Sequence, residues 1–288
     1  MAAEPPAPAA PARPDFLCLG AHKAGTTWLA RNLWSHPQVW MPYSKELHHF
    51  TARHAEREEP HRRRLGRQIR QAIKRARKGR NQSRIAYLRA LRRRDDAFSD
   101  AWYQSVFAPC PRHQKTGEVT PFYAALDEAG LDDIKRSAPQ AKILYLIREP
   151  GARAQSALRM ALKRAQAGPA AGRSVEETAR AWLEKPEAKA RGAYADVVPR
   201  LDARWGEGEI LYLPYGWVRD APLKLMQSVE AHLGLRPSES WPKLTERVHA
   251  GQPATLPDFA LEAIEAEAAR HRDFLAERFG EAFADATR

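Results

Sequence analysis

Gly20-Ala21-His22-Lys23-Ala24-Gly25-Thr26-Thr27 is the stretch whose reading decides the fold, because it lies between a strand signal and a helix signal. Asp15 to Leu19 is a short apolar run of strand type, and in Trp28 to Ser35 the residues Leu29 and Leu33 fall one helical turn apart. Strand, glycine loop and helix, in that order, bring loop amides and the positive end of a helix dipole to one point, which suits a multiply charged phosphate group. Gly25 lets the backbone approach such a ligand closely. Thr26 and Thr27 are expected to cap the helix and to offer hydroxyls. The common phosphate loop, G-x-x-x-x-G-K-[ST], places its lysine after the second glycine and its hydroxyl on Mg²⁺; here Lys23 comes two residues before Gly25. A phosphoryl-transfer site also needs an acid at the end of a second strand to help hold the metal. The best second strand, Ile143 to Ile147, ends in Arg148 instead. These residues describe a cationic site for an anionic ligand and predict no metal ligands.

Further segments sharpen the reading. Lys45-Glu46-Leu47-His48-His49-Phe50, Gly117-Glu118-Val119-Thr120-Pro121-Phe122-Tyr123 and Arg148-Glu149-Pro150-Gly151-Ala152-Arg153-Ala154-Gln155-Ser156 follow the loop in that order. Together with Lys23-Ala24-Gly25-Thr26-Thr27-Trp28-Leu29 they resemble the sulfotransferases that use 3′-phosphoadenosine 5′-phosphosulfate (PAPS), in particular the bacterial type and its Golgi polysaccharide-modifying relatives. The resemblance runs from about Pro14 to the C-terminal helix. It implies that Lys23, Ala24, Gly25, Thr26, Thr27 and Trp28 hold the 5′ end of PAPS, that Arg148 and Ser156 grip its 3′-phosphate, and that Glu46 is the general base. Lys23 would stabilise charge on the departing nucleotide, and His48 is the alternative base. Val119 stands where the polysaccharide-modifying relatives often carry lysine, and His49 replaces an aromatic. No clear match exists for the loop that covers the adenosine; Glu246 to Thr255, with Gly251, is the expected substitute.

The residues support part of this without the resemblance. A strand ending at Ile147 delivers Arg148 to the carboxyl edge of a sheet, where ligands of open α/β folds collect. Pro150 suits the first turn of a following helix, and Arg148 with Ser156 would offer a charge-assisted fork and a hydroxyl to a phosphate. The competing reading pairs Arg148 and Arg153 with nearby acids such as Glu149, and Glu46 with Lys45 or an arginine as a surface ion pair. Glu118, Pro121 and Tyr123 read as structural.

Composition bounds the rest. The chain has 288 residues, 43% of them hydrophobic, enough for one large α/β domain. Its longest apolar runs are strand-sized, so no membrane span is expected. Residues 1–14 are rich in proline and alanine, lack the layout of a signal peptide, and read as a disordered tail. Two cysteines make no disulfide framework. Without the N-terminal anchor of the Golgi relatives, the expectation is a cytoplasmic, bacterial-type enzyme. The net charge of +12 is concentrated: Arg53 to Arg94 holds 17 Lys and Arg against three acids, a surplus of 14 that leaves −2 for the remainder.

Within that segment Leu65, Ile69 and Ile73 recur every four residues and Ile85, Leu88 and Leu91 every three, with Gly79 to Ser83 between, which predicts a hairpin of two amphipathic helices. It reads either as a solvated hairpin or as a surface steering an anionic acceptor, a saccharide or a lipid; no nucleic-acid recognition module accompanies it. Elsewhere helices are expected over Phe98 to Phe107, Ala124 to Arg136, Ser174 to Leu183, Val218 to Leu233, and around Leu261 to Phe279, with a third strand at Glu209 to Leu213. Strands alternating with helices predict a P-loop NTPase-like parallel sheet with helices on both faces, in one domain over residues 15–284 with the basic insertion at about 53–97. The expected function is sulfuryl transfer to a hydroxyl or amine of a saccharide, lipid or small metabolite. The alternatives are a nucleotide kinase using Mg-ATP and a non-catalytic polyanion-binding protein.

Overall fold

In the computed structural model, residues 12–167, 172–246, 248 and 255–288 are described. The strands are β1 (Phe16–Gly20), β2 (Val39–Trp40), β3 (Lys115–Val119), β4 (Lys142–Ile147) and β5 (Ile210–Pro214). They form one parallel sheet in the order β2-β3-β1-β4-β5, with Phe16 opposite Gly117 on one side and Lys142 on the other. Every residue of β1 is buried, so both faces of the central strand are covered, as a parallel sheet flanked by helices requires. The first helix is α1 (Thr26–Ser35), which packs against β2 and β3.

The chain then runs through α2 (His49–Arg53), α3 (Glu59–Lys78), α4 (Gln82–Arg93) and α5 (Asp100–Phe107) before β3, and through α6 (Glu128–Ser137) before β4. After β4 come α7 (Pro150–Gln166), α8 (Val175–Leu183), α9 (Pro186–Ala190) and α10 (Tyr194–Asp202). Following β5 are α11 (Trp217–Asp220), α12 (Pro222–Leu233), α13 (Asp258–Phe279) and α14 (Glu281–Ala286). The order places β1 between strands that leave it in opposite directions, so the loops after β1 and β4 open at the carboxyl edge where the winding reverses.

Local chemistry accounts for most boundaries. Ser174 and Glu177 close the expected capping box on α8. Gly234 ends α12 at a positive φ of 63°. The helix expected over Val218 to Leu233 is broken in two, because Pro222 cannot donate to the preceding turn and instead opens α12. The helix expected from Ala124 divides likewise into a short 3₁₀ turn, Tyr123–Ala125, and α6, which Asp127 caps through Gly130 N–H.

The basic insertion is the predicted hairpin, α3 against α4, and it is not a solvated appendage. Leu65, Ile69, Ile73, Ile85, Leu88 and Leu91 are buried and continue the main hydrophobic core. Its outer side is cationic: Arg70, Lys74, Arg77, Arg89 and Arg92 line a groove of about 530 Å³ with Ile73 at its floor. The tail at residues 1–11 lies outside the described residues. Among the described residues no helix is long and apolar enough to cross a membrane.

Candidate active site

The loop after β1 leaves the start of α1 free for a ligand. Lys23 and Gly25 both have left-handed φ, 72° and 85°, and Gly25 occupies the cap position without any side-chain cap. The expected capping by Thr26 and Thr27 does not occur: both are already inside the helix, Thr26 buried, so the first amides of α1 keep their donors. A side chain at Gly25 would be strained at that φ and would meet the Tyr215 ring at 3.0 Å. Lys23 is half-buried, and burial, then Arg148 and Arg164, draw its pKa down. Ala24 is fully buried. Trp28, which the resemblance assigns to the 5′ end, lies in the first turn of α1. Its side chain points into the core, 3% exposed, and its indole N–H donates to Leu244 O at 3.0 Å, which pins the segment after α12 to α1.

Arg148 arrives at the end of β4 beside this loop. It donates to Lys23 O at 3.1 Å, its guanidinium lies 4.6 Å from the Tyr215 ring centroid, and its main-chain N–H donates to the Tyr194 hydroxyl at 3.1 Å. The pairing with Glu149 that competed with a ligand role is absent. Glu149 instead caps α7, accepting from Gly151 and Ala152 N–H at 3.0 and 2.6 Å, and pairs with Arg272 of α13 at 2.7 Å. Among the described residues neither Arg148 nor Arg153 lies within ion-pair distance of an acid. Arg153 is 4% exposed, with Nε and Nη1 unpartnered, and packs so tightly on Gly192 that a Cβ there would meet Nε at 2.1 Å. Ser156 follows on α7, half-buried.

Glu46 lies in the loop before α2, and three cationic or polar donors converge on it. Lys45 Nζ reaches Oε1 at 2.6 Å, while His48 Nε2 and Arg64 Nη2 reach Oε2 at 3.0 and 2.9 Å. Burial alone would raise its pKa, but the hydrogen bond from His48 and the charge and hydrogen bond of Lys45 hold it well below the usual carboxylate range. The ion pairs with Lys45 and an arginine are thus present, and the arginine comes from the basic hairpin. Gln68, one turn further along α3, donates to Ser44 Oγ and Glu46 O, and Arg75 donates to Tyr43 O at 3.3 Å. Burial lowers the His48 pKa, against an opposing pull from Glu46, so the imidazole is neutral at neutral pH.

A buried carboxylate behind the loop sets its shape. Glu118, fully buried at the end of β3, accepts from Leu47 N–H at 3.1 Å, Thr120 Oγ1 at 2.5 Å, Tyr103 OH at 2.7 Å and Tyr123 OH at 3.0 Å. The Tyr123 hydroxyl also accepts from His49 N–H at 2.9 Å. Glu118 and Tyr123 are structural, as read, and their task is to hold residues 45–49. His49 stacks on Tyr103 with ring centroids 4.1 Å apart, filling the place of an aromatic. Phe122 of the same motif packs on His48 at 5.1 Å and on His22 at 5.0 Å. Burial and the charges of Arg191, Arg153 and Lys23 push the His22 pKa down to about 3, so it too is neutral.

The structure therefore brings Lys23, Gly25, Thr26, Thr27 and Arg148 together at one edge, with Glu46 and His48 as a second group. Sequence reasoning missed Arg64, Tyr215, Arg191 and the ring of Phe122. Arg64 was hidden inside a charge surplus, and Tyr215 and Arg191 lie outside any motif. Of the expected adenosine segment, residues 247 and 249–254 lie outside the described residues, and Glu246 pairs with Arg31 of α1.

The chain belongs to the sulfotransferase family, whose model matches residues 14–239. A sulfotransferase from Alicyclobacillus acidocaldarius has a similar structure, with TM-score 0.67 and 23% identity over 96% of this chain and 100% of that one. A sulfotransferase from Mycobacterium avium is similar at TM-score 0.56 and 14% identity, covering 95% of this chain and 78% of that chain. The sulfotransferase domain of the curacin biosynthetic pathway is similar at TM-score 0.51 and 15% identity, covering 87% and 83%. These likenesses establish the shared fold. No curated protein matches the chain.

Proposed function

We propose that the protein transfers a sulfuryl group from PAPS to a hydroxyl or amine of its acceptor, with Lys23, Gly25, Thr26 and Thr27 holding the 5′ end and Arg148 and Ser156 the 3′-phosphate. The observation that carries this is the uncapped start of α1, flanked by Lys23 and by an Arg148 that no acid among the described residues neutralises, next to the Glu46–His48 pair. Such a site fits a ligand with phosphates at both ends: free amides and an ammonium on one side, a guanidinium over the Tyr215 ring on the other. Bound there, PAPS supplies an electrophilic sulfur and a nucleotide leaving group. Lys23 offers a fixed positive charge where negative charge grows on the leaving oxygen.

Glu46 and His48 take the acceptor's proton as a pair. Glu46 is ionised throughout the neutral range but binds protons weakly while His48 and Lys45 hold it, with Arg64 as a third hydrogen-bond donor. An acceptor hydroxyl restores its basicity by replacing one donor. Arg64 is the partner most able to yield, its side chain 39% exposed against 17% for Lys45 and 4% for His48. The neutral His48, its Nε2 directed at Glu46, has Nδ1 left to share the proton.

Calorimetric titration with adenosine 3′,5′-bisphosphate and, separately, with Mg-ATP tests the donor. Tight binding of the bisphosphate without metal is expected, together with loss of turnover of radiolabelled PAPS in Lys23→Ala. Preference for Mg-ATP would make the protein a kinase and end this reading.

A further inference from the structure

A cavity of about 120 Å³ lies between α7, α8, α9 and α13, and none of Lys23, Glu46, His48, Arg148 and Ser156 lines it. Its walls are apolar: Trp182, Leu183, Ala188, Ile264 and Ala268. Of these, Trp182, Leu183 and Ile264 belong to a smaller apolar cluster, separate from the main core. Arg153 of α7 lines the same space. Its guanidinium lies against Gly192, where a Cβ would come within 2.1 Å of Nε, 2.2 Å of Cζ and 2.3 Å of Nη2, so a residue without a side chain is what leaves it room.

Many arginines of this chain lack an acidic partner, but every other described one is at least partly exposed, where water serves a guanidinium well. Arg153 is the only buried arginine among the described residues, 4% exposed, and its Nε and Nη1 have no hydrogen-bond partner. A guanidinium stays charged in a protein, and a buried charge without a partner is strongly destabilising. The other ionisable groups on the lining are Lys189, Glu267 and His271. Lys189 and Glu267 are exposed and mark the mouth. Glu267 engages the histidine and not the arginine: its Oε1 is 3.6 Å from His271 Nε2, while Nδ1 of that ring accepts from Ala195 N–H at 3.4 Å. The buried part of the lining thus combines apolar walls with a cation that no described acid neutralises. A dry apolar cavity of about 150 Å³ accepts benzene, so a single ring or a short chain is the size of body that suits this one.

We propose that this cavity binds a small monocarboxylic acid, with the carboxylate on Arg153 and the apolar body against Trp182, Leu183 and Ile264. The acid supplies the counter-charge that Arg153 lacks, through charge-assisted hydrogen bonds, and fills the gap between α7 and α13. The site is distinct from those of the sulfuryl donor and acceptor and does not depend on the sulfuryl-transfer reading.

Two matched pairs of probes test this on the full chain: benzoate with benzyl alcohol, and hexanoate with hexan-1-ol. At low salt, calorimetry is expected to show at least one acid binding about tenfold or more tightly than its alcohol, and which acid does so tells a ring from a chain. Arg153→Met keeps the bulk and removes the charge. It should lower acid affinity about tenfold or more and leave alcohol affinity within about twofold. The same acid should raise the melting temperature of the parent and leave that of the variant unmoved. Ala263→Trp, at an exposed position on the lining, should block binding with the guanidinium still in place, and it serves alone if Arg153→Met does not fold. Equal binding of acid and alcohol, no binding of either acid, or full acid binding by either variant overturns the proposal. So does chloride or phosphate binding as tightly as the acids, since the apolar walls would then contribute nothing. Displacement of the acid by adenosine 3′,5′-bisphosphate would overturn it as well, by assigning Arg153 to the donor.

Discussion

Removing the Arg148 guanidinium separates its two tasks. Within the fold it makes one hydrogen bond to Lys23 O at 3.1 Å and a stack on Tyr215 at 4.6 Å. Those contacts contribute about 1 kcal/mol and about 0.5–1 kcal/mol respectively. Arg148→Ala should therefore cost about 2 kcal/mol of stability, a fall of several degrees in Tm for a chain of this size. Against a phosphate the same group makes a charge-assisted hydrogen bond worth about 1.5–3 kcal/mol, so affinity for adenosine 3′,5′-bisphosphate should fall by about 10- to 150-fold. Arg148→Lys keeps the charge without the planar fork and should lie between the two. Calorimetry reads the affinity and a thermal melt reads the fold. A bisphosphate affinity within about threefold of the parent, in a variant whose melt shows it folded, would refute the assignment of Arg148 to the donor.

Glu46→Gln should lower turnover by about 10²- to 10⁴-fold with bisphosphate binding retained, since the amide keeps the shape and loses the base; unchanged turnover would exclude Glu46 from proton transfer. The pH dependence follows from the burial of His48, which resists protonation and lowers its pKa. The pair must be unprotonated to act, so kcat/KM should hold level through neutral pH and fall only below the ordinary histidine value of about 6.5. An acid limb centred at or above that value would contradict the geometry. Glu118→Ala leaves the buried Tyr103 and Tyr123 hydroxyls without the acceptor they donate to, while the Leu47 amide keeps only Thr120 Oγ1, and should cost about 3 kcal/mol or more, read as a lower melting temperature; an unshifted melt would show that residues 45–49 are held by something else.

What could be read from the sequence was what local chemistry determines. The strand before Gly20 and the helix after Gly25 follow from hydrophobic period and glycine placement, and the hairpin from its four- and three-residue repeats. The ending of β4 in Arg148 was visible because a strand delivers its next residue to the sheet edge. The two-residue β2 carries no periodic signal, and its pairing with β3 comes from far along the chain. Caps were misjudged where a left-handed glycine, rather than a threonine, took the cap position. The surroundings of Glu46 were legible only in part: Lys45 and His48 are neighbours in sequence, whereas Arg64 reaches it by way of a helix whose docking depends on a core shared with the sheet. Arg191 and Phe122 meet through tertiary packing alone, which no spacing rule anticipates.

The helix α3 has three sides, and each answers to a different constraint. At about 3.6 residues per turn, Arg64, Gln68 and Arg75 stack on one side and brace residues 43–46, Leu65, Ile69 and Ile73 form a second within the core, and Arg70, Lys74 and Arg77 make up a third that faces outward. Changes on the core side would be felt as stability, and changes on the bracing side as proton affinity at Glu46. The outward side touches neither. Descendants of this chain can rewrite it freely, and so acquire new company at the surface while the chemistry beneath stays as it was.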